Sequence, residues 1–572
     1  MHFSDWSRIP SRRLAAVAAV LAVTAGIAVL AGSSLATGKT VARPVAKAAQ
    51  ASCSSGTTVN TSSGAVCGIS YPAGTSATGI VAKTSFNQWL GIPYAAPPVG
   101  QLRWQPPEAY QPPPPTTTLA AVTQVPGCPG SGTSTASEDC LQLDITAPTG
   151  VGSSLPVIFY IHGGGFTGGT TSTYPEQELA TSGPAIVVGV EYRLGVLGFL
   201  ADKALGAHSG DFGLQDQQFA MNWVKQNISA FGGDPANITI MGSSAGASSV
   251  CDQIASPTAH GLFEKAINFS GEYNSLFGAP TSLQPQDCKA QLPTQRQANA
   301  TGALFAASVG CDQGNSQREE AALAACLRAL PWQTLLTAQA SGGTNSPIVN
   351  GTTLTEQPLE SFATGRVNRV PALLGVNRDE DLTGTATTAA AYTSLIDSQY
   401  GAEASEVLLH YPLTRFPSPY VASRTVAADS NTVCPALVRD QYLSKVMPMY
   451  AFEGDTPDLP PYSTATPDPP GSSHDWEPGY LFPTAMGIPI DSQLDADQAT
   501  LRSELISQVT AFAATGSPNT TGVPLWPRYK SNTGYLVMSL QPGGDDELMS
   551  ADAISLDHQC AFWDRISPKP AR

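Results

Sequence analysis

A serine between two glycines is the strongest sign of chemistry in this sequence. Residues 242–246 read Gly-Ser-Ser-Ala-Gly, and they follow the apolar run 238–241 and precede small residues that can begin a helix. In a Gly-x-Ser-x-Gly turn between a strand and a helix, the serine has strained backbone geometry and no side chain fits at the flanking positions. The Gly-x-Ser-x-Gly pentapeptide by itself also occurs in turns that have no catalytic role. The predicted strand before it favours the catalytic interpretation. Ser244 is the candidate nucleophile.

A serine hydroxyl is a weak nucleophile, so it needs a general base within hydrogen-bond reach and a carboxylate that orients this base. The base is expected to be a histidine, and with this type of serine turn the chain order is serine, acid, histidine. That order leaves His410, His474 and His558, and the residues themselves do not decide among the three. His474 follows a proline- and glycine-rich stretch, which is typical of an exposed catalytic base.

A triple glycine predicts the loop that would stabilise the oxyanion. Residues 162–165 read His-Gly-Gly-Gly after the apolar run 156–161, and a backbone without side chains can approach an ester closely. Gly163, Gly165 and Gly168 also match the spacing of a dinucleotide-binding turn. Residues 169–175 are a poor start for a helix, so the sequence favours acyl transfer over dinucleotide binding.

The elements around these residues alternate between strands and helices. Residues 156–161, 185–190 and 238–241 are short apolar runs typical of buried strands, and residues 214–231 have the pattern of an amphipathic helix. Such alternation predicts an α/β fold with a central, mostly parallel, twisted sheet and helices on both faces. Active groups in this class lie at the carboxyl ends of the strands.

Composition and the N-terminus point to an exported globular protein. The chain has 572 residues, 29 Lys+Arg against 45 Asp+Glu, and a net charge of -16, so it lacks the cationic surface that nucleic acid requires. Three arginines precede the apolar run 14–31, which predicts a signal peptide at 1–36, followed by a linker at 37–52 and one domain at 53–572. The alternative for the apolar run is a membrane anchor.

The cysteines agree with export to an extracellular compartment. There are ten of them, an even number, and none forms a Cys-x-x-Cys metal pattern. Disulfides are therefore expected. Residues 1–52 hold six basic residues and one acidic residue, so a chain that begins at Cys53 has a net charge of -21.

Motifs along most of the chain resemble those of the type-B carboxylesterase family, an α/β-hydrolase family that includes the cholinesterases. They lie at 91–100, 137–141, 162–166, 192–195, 213–217, 231–235, 244–246, 375–380 and 512–516. The resemblance implies Ser244 as nucleophile, Glu380 as triad acid and His474 as base, because 474–482 matches the family's histidine segment. It also implies an oxyanion hole formed by Gly164, Gly165 and the N–H of Ala245, and no metal or organic cofactor.

The same resemblance implies a set of disulfides. Cys128–Cys140, Cys311–Cys326 and Cys434–Cys560 match family pairs, and Cys53–Cys67 and Cys251–Cys288 are the pairs that remain.

Some residues depart from the family pattern. Cholinesterases have a glutamate before the nucleophile and a tryptophan inside the first disulfide loop, whereas this chain has Ser243 and a loop at 129–139 without an aromatic residue. Neither choline esters nor interfacial lipase action is therefore expected. Glu191 replaces the usual asparagine, and a buried carboxylate there needs a partner, such as Arg193 or a backbone donor.

Together these features predict a secreted serine hydrolase that cleaves small-molecule or lipid carboxylic esters through an acyl-enzyme intermediate. The alternative is a catalytically silent adhesion or binding module on the same fold. The presence of Ser244, Glu380 and His474 favours the enzyme.

Overall fold

The computed structural model describes most of the chain between residues 52 and 567, and these residues belong to one unit, Ala51–Arg572. The described ranges are 52–75, 82–112, 114, 117–124, 126–271, 292–312, 319–339, 345–380, 386–456, 471–474, 476–482 and 494–567. The predicted signal peptide at 1–36, and the predicted linker at 37–52 apart from its last residue, lie outside them.

The apolar runs of the sequence form strands. In chain order these are β1 (Val59–Thr61), β2 (Gly64–Cys67), β3 (Ile69–Tyr71), β4 (Phe86–Pro93), β5 (Thr118–Ala120), β6 (Gln142–Pro148), β7 (Leu155–Ile161), β8 (Ile186–Val190), β9 (Gly233–Ser243), β10 (Lys265–Phe269), β11 (Ala372–Asn377), β12 (Met449–Gly454), β13 (Leu536–Leu540) and β14 (Glu547–Ser550). The three strands predicted from the sequence correspond to β7, β8 and β9, and they are confirmed.

Within the described residues, eleven strands form one sheet in the order β14-β13-β12-β11-β10-β9-β7-β8-β6-β4-β3. Each pairing between β13 and β8 in this order is parallel. At both ends of the sheet the pairing is antiparallel. β1, β2 and β5 form a separate small sheet. The predicted mostly parallel sheet is confirmed.

Helices connect the strands. They are α1 (Gln177–Ser182), α2 (Gly195–Phe199), α3 (Phe212–Asn227), α4 (Ala245–Ala255), α5 (Gln295–Ser308), α6 (Glu320–Ala329), α7 (Trp332–Gln339), α8 (Pro358–Thr364), α9 (Ala389–Tyr400), α10 (Ala404–His410), α11 (Pro419–Ala428), α12 (Cys434–Leu443), α13 (Trp476–Leu481), α14 (Ala496–Thr515), α15 (Ala551–Asp557) and α16 (Cys560–Ile566). The predicted helix at 214–231 corresponds to α3 and a 3₁₀ turn, Ile228–Phe231.

Both faces of the sheet are buried. Successive side chains along a strand point to opposite faces, so neighbouring residues of one strand enter different apolar clusters. On β7, Phe159 packs in one apolar cluster together with residues of α3 and α4. Tyr160, the next residue, packs in a second cluster with residues of α1, α13 and α14. Helices therefore cover both faces, as predicted.

The register of the parallel strands brings the carboxyl ends of β7, β9, β10 and β11 to within a few residues of one level. Ile161 at the end of β7 is paired with Gly242 of β9, and Ser243 is paired with Phe269 at the end of β10. Phe269 is in turn paired with Gly375 of β11. The segments that leave these strands therefore begin side by side, and they carry the predicted site residues.

Four of the predicted disulfides are present, namely Cys53–Cys67, Cys128–Cys140, Cys311–Cys326 and Cys434–Cys560. Cys251 is also disulfide-bonded, and its predicted partner Cys288 lies outside the described residues. In the described part of the chain, no helix has the length and apolar character needed to span a bilayer.

Candidate active site

Ser244 occupies the turn between β9 and α4, and its backbone is strained as predicted. Its φ is 57° and its ψ is -128°, a conformation that non-glycine residues rarely adopt. The turn is fixed at both sides: the N–H of Ser244 donates to the carbonyl of Phe269 at 3.1 Å, and the N–H of Ser248 donates to the carbonyl of Ser244 at 2.9 Å. The strand, strained serine and helix together form the turn that presents a nucleophile.

Both glycines of the pentapeptide are required by close backbone contacts. A Cβ at Gly242 would collide with the carbonyl group of Gly246, and a Cβ at Gly246 would collide with the carbonyl of Ile161 on β7. The predicted steric reason for the pattern is therefore confirmed. The second contact also brings β7, and the loop that follows it, against the serine turn.

The triple-glycine loop lies directly against Ser244. A Cβ at Gly163 would be 2.8 Å from Cβ of Ser244 and 2.9 Å from the carbonyl oxygen of Ser243. Gly164 and Gly165 have positive φ angles of 113° and 62°. Ala245, the third predicted oxyanion residue, is the first residue of α4, so its N–H has no acceptor within the helix.

The alternative interpretation of these glycines, a dinucleotide-binding turn, requires a helix directly after them. The loop instead leads to a 3₁₀ turn at Thr171–Thr173, and α1 begins only at Gln177. The structure therefore does not support dinucleotide binding here. Among the described residues, no group of three or more His, Cys, Asp or Glu side chains is placed to hold a metal ion.

Glu380 and His474 are in contact, although 94 residues separate them in the sequence. Nδ1 of His474 donates to Oε1 of Glu380, and the side chains are 12% and 1% exposed. With its proton on Nδ1, a neutral imidazole has Nε2 as its acceptor nitrogen. This contact therefore favours the His474 tautomer that a general base needs, with Nε2 as the proton acceptor.

The two other histidines that chain order leaves open have different environments. His410 stacks on Phe562 with ring centroids 3.9 Å apart, and its Nδ1 lies 3.2 Å from the side-chain oxygen of Gln559. His558 is buried, with Nδ1 2.5 Å from Oδ1 of Asp429 and Nε2 2.9 Å from a carboxylate oxygen of Glu453. Carboxylates on both ring nitrogens stabilise an imidazolium, which cannot accept a proton.

A hydrogen-bond network connects the serine turn to the histidine segment. The side-chain amide of Asn377, the last residue of β11, donates to Oγ of Ser270 at 2.6 Å and to the carbonyl of Ser473 at 3.0 Å. Ser270 follows Phe269, which accepts the N–H of Ser244, and Ser473 precedes His474. Sequence reasoning did not assign these residues, although Asn377 lies within the 375–380 motif.

The acid and histidine segments are also linked directly. The N–H of Asp379 donates to the carbonyl of Ser472 at 3.1 Å, and the N–H of Ser472 donates to Oδ2 of Asp379 at 3.1 Å. Glu380 and His474 are therefore held by the backbone segments on which they lie, as well as by their own contact.

Glu191 is fully buried, and one of its two suggested partners is wrong. Arg193 makes a two-point ion pair with Asp216 instead, with Nε–Oδ2 and Nη2–Oδ1 distances of 2.7 Å. The two-point geometry explains this preference, since it satisfies both carboxylate oxygens at once. The other suggestion, a backbone donor, is confirmed: the N–H of Thr171 donates to Glu191 Oε1 at 2.8 Å.

Comparison with known proteins assigns the family. A model of the carboxylesterase family matches residues 55–563. The chain is similar to para-nitrobenzyl esterase of Bacillus subtilis (strain 168), with 31% identity over 79% of this chain and 90% of that protein. It is also similar to pyrethroid hydrolase Ces2e of Rattus norvegicus, with 29% identity over 80% of this chain and 83% of that protein. With its mostly parallel sheet, the chain belongs to the carboxylesterase family of the α/β-hydrolase fold and is a carboxylic ester hydrolase.

Proposed function

We propose that the chain is a secreted serine esterase that uses Ser244, His474 and Glu380 as a triad. The observation that supports this most is the contact between His474 Nδ1 and Glu380 Oε1, on segments tied by Asn377 to the strained turn of Ser244. A binding module without catalysis has no need for such a base, and no contact in the described residues favours it.

In the proposed reaction, Nε2 of His474 takes the hydroxyl proton as Oγ of Ser244 attacks the ester carbonyl. Glu380 stabilises the imidazolium that results. The negative charge on the carbonyl oxygen is stabilised by the N–H groups of Gly164, Gly165 and Ala245. His474 then gives its proton to the alcohol as the C–O bond breaks, and a water molecule hydrolyses the acyl-enzyme by the same steps.

Carboxylic esters of small alcohols are the proposed substrates, aromatic alcohols included. The two relatives support this, since one is a para-nitrobenzyl esterase and the other a pyrethroid hydrolase. The loop enclosed by Cys128–Cys140 contains no aromatic side chain that could bind a quaternary ammonium group. Choline esters are therefore expected to be poor substrates.

Secretion is proposed from the N-terminal sequence together with the cysteines. Disulfides form and persist in oxidising compartments, and the four described bonds fit such a compartment. N-terminal sequencing of the protein recovered from culture medium tests this proposal. A chain in the medium that begins at Met1 would contradict the predicted signal peptide.

The triad is tested with para-nitrobenzyl acetate as substrate and the protein recovered from the culture medium as enzyme. We expect kcat to fall by about 10⁴-fold or more in Ser244→Ala and by about 10³- to 10⁴-fold in Glu380→Gln, because the amide no longer fixes the Nδ1–H tautomer. Ser249→Ala is the matched control: Ser249 is buried in α4, the helix that follows Ser244, and its hydroxyl donates to the carbonyl of Ala245 at 3.0 Å. Wild-type hydrolysis by Ser244→Ala would refute the proposal.

A further inference from the structure

His162, which precedes the three glycines of the oxyanion loop, has its imidazole buried beneath that loop. Its Nδ1 lies 2.9 Å from the carbonyl oxygen of Gly163, and its ring stacks on Tyr192 with centroids 4.5 Å apart. The hydroxyl of Tyr192 donates to the carbonyl of His162 at 2.8 Å. Gly163 therefore contacts the His162 ring through its carbonyl oxygen and Ser244 through its Cα.

Glu191 approaches the same ring from the end of β8. One carboxyl oxygen, Oε1, accepts from the hydroxyl of Thr170 at 2.6 Å and from the N–H of Thr171 at 2.8 Å. The other oxygen, Oε2, lies 3.9 Å from Nε2 of His162. Within the described residues, neither of these two facing atoms has a hydrogen-bond partner.

The chemistry of the two facing atoms favours a proton on the carboxyl group. A carbonyl oxygen only accepts, so the Nδ1 that faces Gly163 carries a hydrogen, and Nε2 of the neutral ring has a lone pair. If Oε2 were ionised, one of its lone pairs would face the lone pair of Nε2, and neither side chain is exposed to water. A protonated Oε2 instead presents a hydrogen to the lone pair of Nε2, across a separation of 3.9 Å that is about 1 Å longer than a hydrogen bond.

The surroundings of Glu191 favour the protonated carboxyl group. Burial raises the pKa of Glu191, although hydrogen bonds from Thr170, Thr171 and the backbone N–H of Cys128 oppose the rise, and burial lowers the pKa of His162 to about 4. The ionisable groups around Glu191 are acidic or phenolic, namely Asp144, Tyr94 and Tyr192. The nearby Arg193 is paired with Asp216.

We propose that Glu191 is a positioning residue for ester hydrolysis: its carboxyl group holds a proton on Oε2 that faces Nε2 of His162, and this polar contact keeps Gly163 and the oxyanion loop in place against Ser244. This inference rests on the proposed function of that loop. It differs from a purely structural role in one respect: a neutral hydrogen-bond donor of the same shape can replace Glu191, whereas an apolar side chain cannot.

The test compares Glu191→Gln with Glu191→Met. Gln keeps an acceptor for the threonines and an N–H for His162, so we expect its kcat to remain within about threefold of wild type. Met has similar length but no donor, and displacement of the loop is expected to lower kcat by about 10- to 100-fold with KM within about threefold. The inhibition constant of a trifluoromethyl ketone should rise by the same factor as kcat falls, because both depend on the oxyanion contacts.

Glu176 provides the matched control. It is also buried, accepts from the hydroxyl of Thr146 at 2.7 Å, and lies near Asp144. Glu176→Gln and Glu176→Met should both keep the wild-type kcat once the folded fraction, measured by circular dichroism, is taken into account. Glu191→Ala replaces Glu191→Met in the same comparison if the latter does not fold.

Three results would overturn the inference: an unchanged kcat in the apolar Glu191 variant, an equal loss in Glu191→Gln, or an equal loss in Glu176→Met. Ser244→Ala is measured beside these variants. If Ser244→Ala is inactive and the apolar Glu191 variant is fully active, only the role of Glu191 fails. If Ser244→Ala retains activity, the proposed function itself fails.

Discussion

Asp144 on β6 should make the protein more stable at mildly acidic pH than at neutral pH. Its side chain is buried, with Oδ1 accepting from the N–H of Gly91 at 2.9 Å and Oδ2 accepting from the hydroxyl of Thr171 at 2.7 Å. Burial raises the pKa of Asp144 from 3.8 to about 6, and the hydrogen bonds from Thr171, Gly91 and Gln124 oppose this rise. The folded protein therefore holds its proton more tightly than the unfolded chain does.

The sign and size of the effect follow from this pKa. Below pH 3.8 the carboxyl group is protonated in both states and imposes no penalty on folding. As the pH rises from 3.8 to about 6, the unfolded chain gains the ionised form first, and the folded state loses stability relative to it. At about 1.4 kcal/mol per pKa unit, the full loss is about 3 kcal/mol, most of it between pH 4 and pH 7.

Asp144→Asn removes this ionisation and keeps an acceptor for Gly91. The free energy of unfolding of the wild type, minus that of Asp144→Asn, should therefore fall by about 2 to 3 kcal/mol between pH 4 and pH 7. The measurement is urea unfolding followed by tryptophan fluorescence at each pH, with the disulfides intact. Asp397→Asn, at an exposed position of α9, is the control for the removal of a carboxylate that is not buried. A constant difference for Asp144→Asn, or one that grows with pH, would refute the reasoning.

Two further predictions concern the loop and the C-terminal region. Gly163→Ala should lower kcat by about 100-fold with little change in KM, because its Cβ would lie 2.8 Å from Cβ of Ser244; steady-state kinetics with an unchanged kcat would contradict this. Burial lowers the pKa of His558, but the carboxylates of Asp429 and Glu453 outweigh burial, and the pKa is raised well above 6.5. The charged His558 therefore stabilises the folded state fully below pH 6.5, and this stabilisation is lost as the pH rises through the pKa of the folded protein. The melting temperature of the wild type should therefore fall more between pH 7 and pH 10 than that of His558→Gln, and parallel curves would argue against a charged His558.

The serine turn could be predicted because its signal is local. The strained φ of Ser244 and the close approach of Gly242 and Gly246 require those residue types in that order, whatever the rest of the chain does. The apolar runs of β7, β8 and β9 are equally local, since a strand buried on both faces needs apolar residues throughout.

The histidine could not be chosen by local reasoning, because its identity depends on packing between distant segments. His410, His474 and His558 all satisfy the chain order, and what separates them is contact: an aromatic ring for His410, one carboxylate for His474 and two for His558. The resemblance to a known family pointed to His474 through a pattern of spaced residues, and the contact of its ring with Glu380 agrees with that choice.

The surroundings of Glu191 were also beyond sequence reasoning. Arg193 is the nearest cation along the chain, but Asp216 on α3 offers it a two-point contact that satisfies the guanidinium and carboxylate together. The donors to Glu191 come from Thr170 and Thr171, whose position depends on the loop after β7. Charge alone therefore suggested the wrong partner, since the pairing was decided by geometry.

The level at which each strand ends determines whether the site can form at all. Ile161 is level with Gly242, and Ser243 is level with Phe269, so the oxyanion loop, the nucleophile and Ser270 all begin within one residue of each other. A slip of one residue in either pairing would turn the strand's side chains to the opposite face and separate Gly163 from Ser244. Asn377 fixes the remaining element, because its amide is bonded to Ser270 and to the histidine segment at the same time. The reacting groups are thus positioned by parallel pairing deep in the core, so a substitution there that shifts the register should lower activity even where it leaves every proposed catalytic side chain intact.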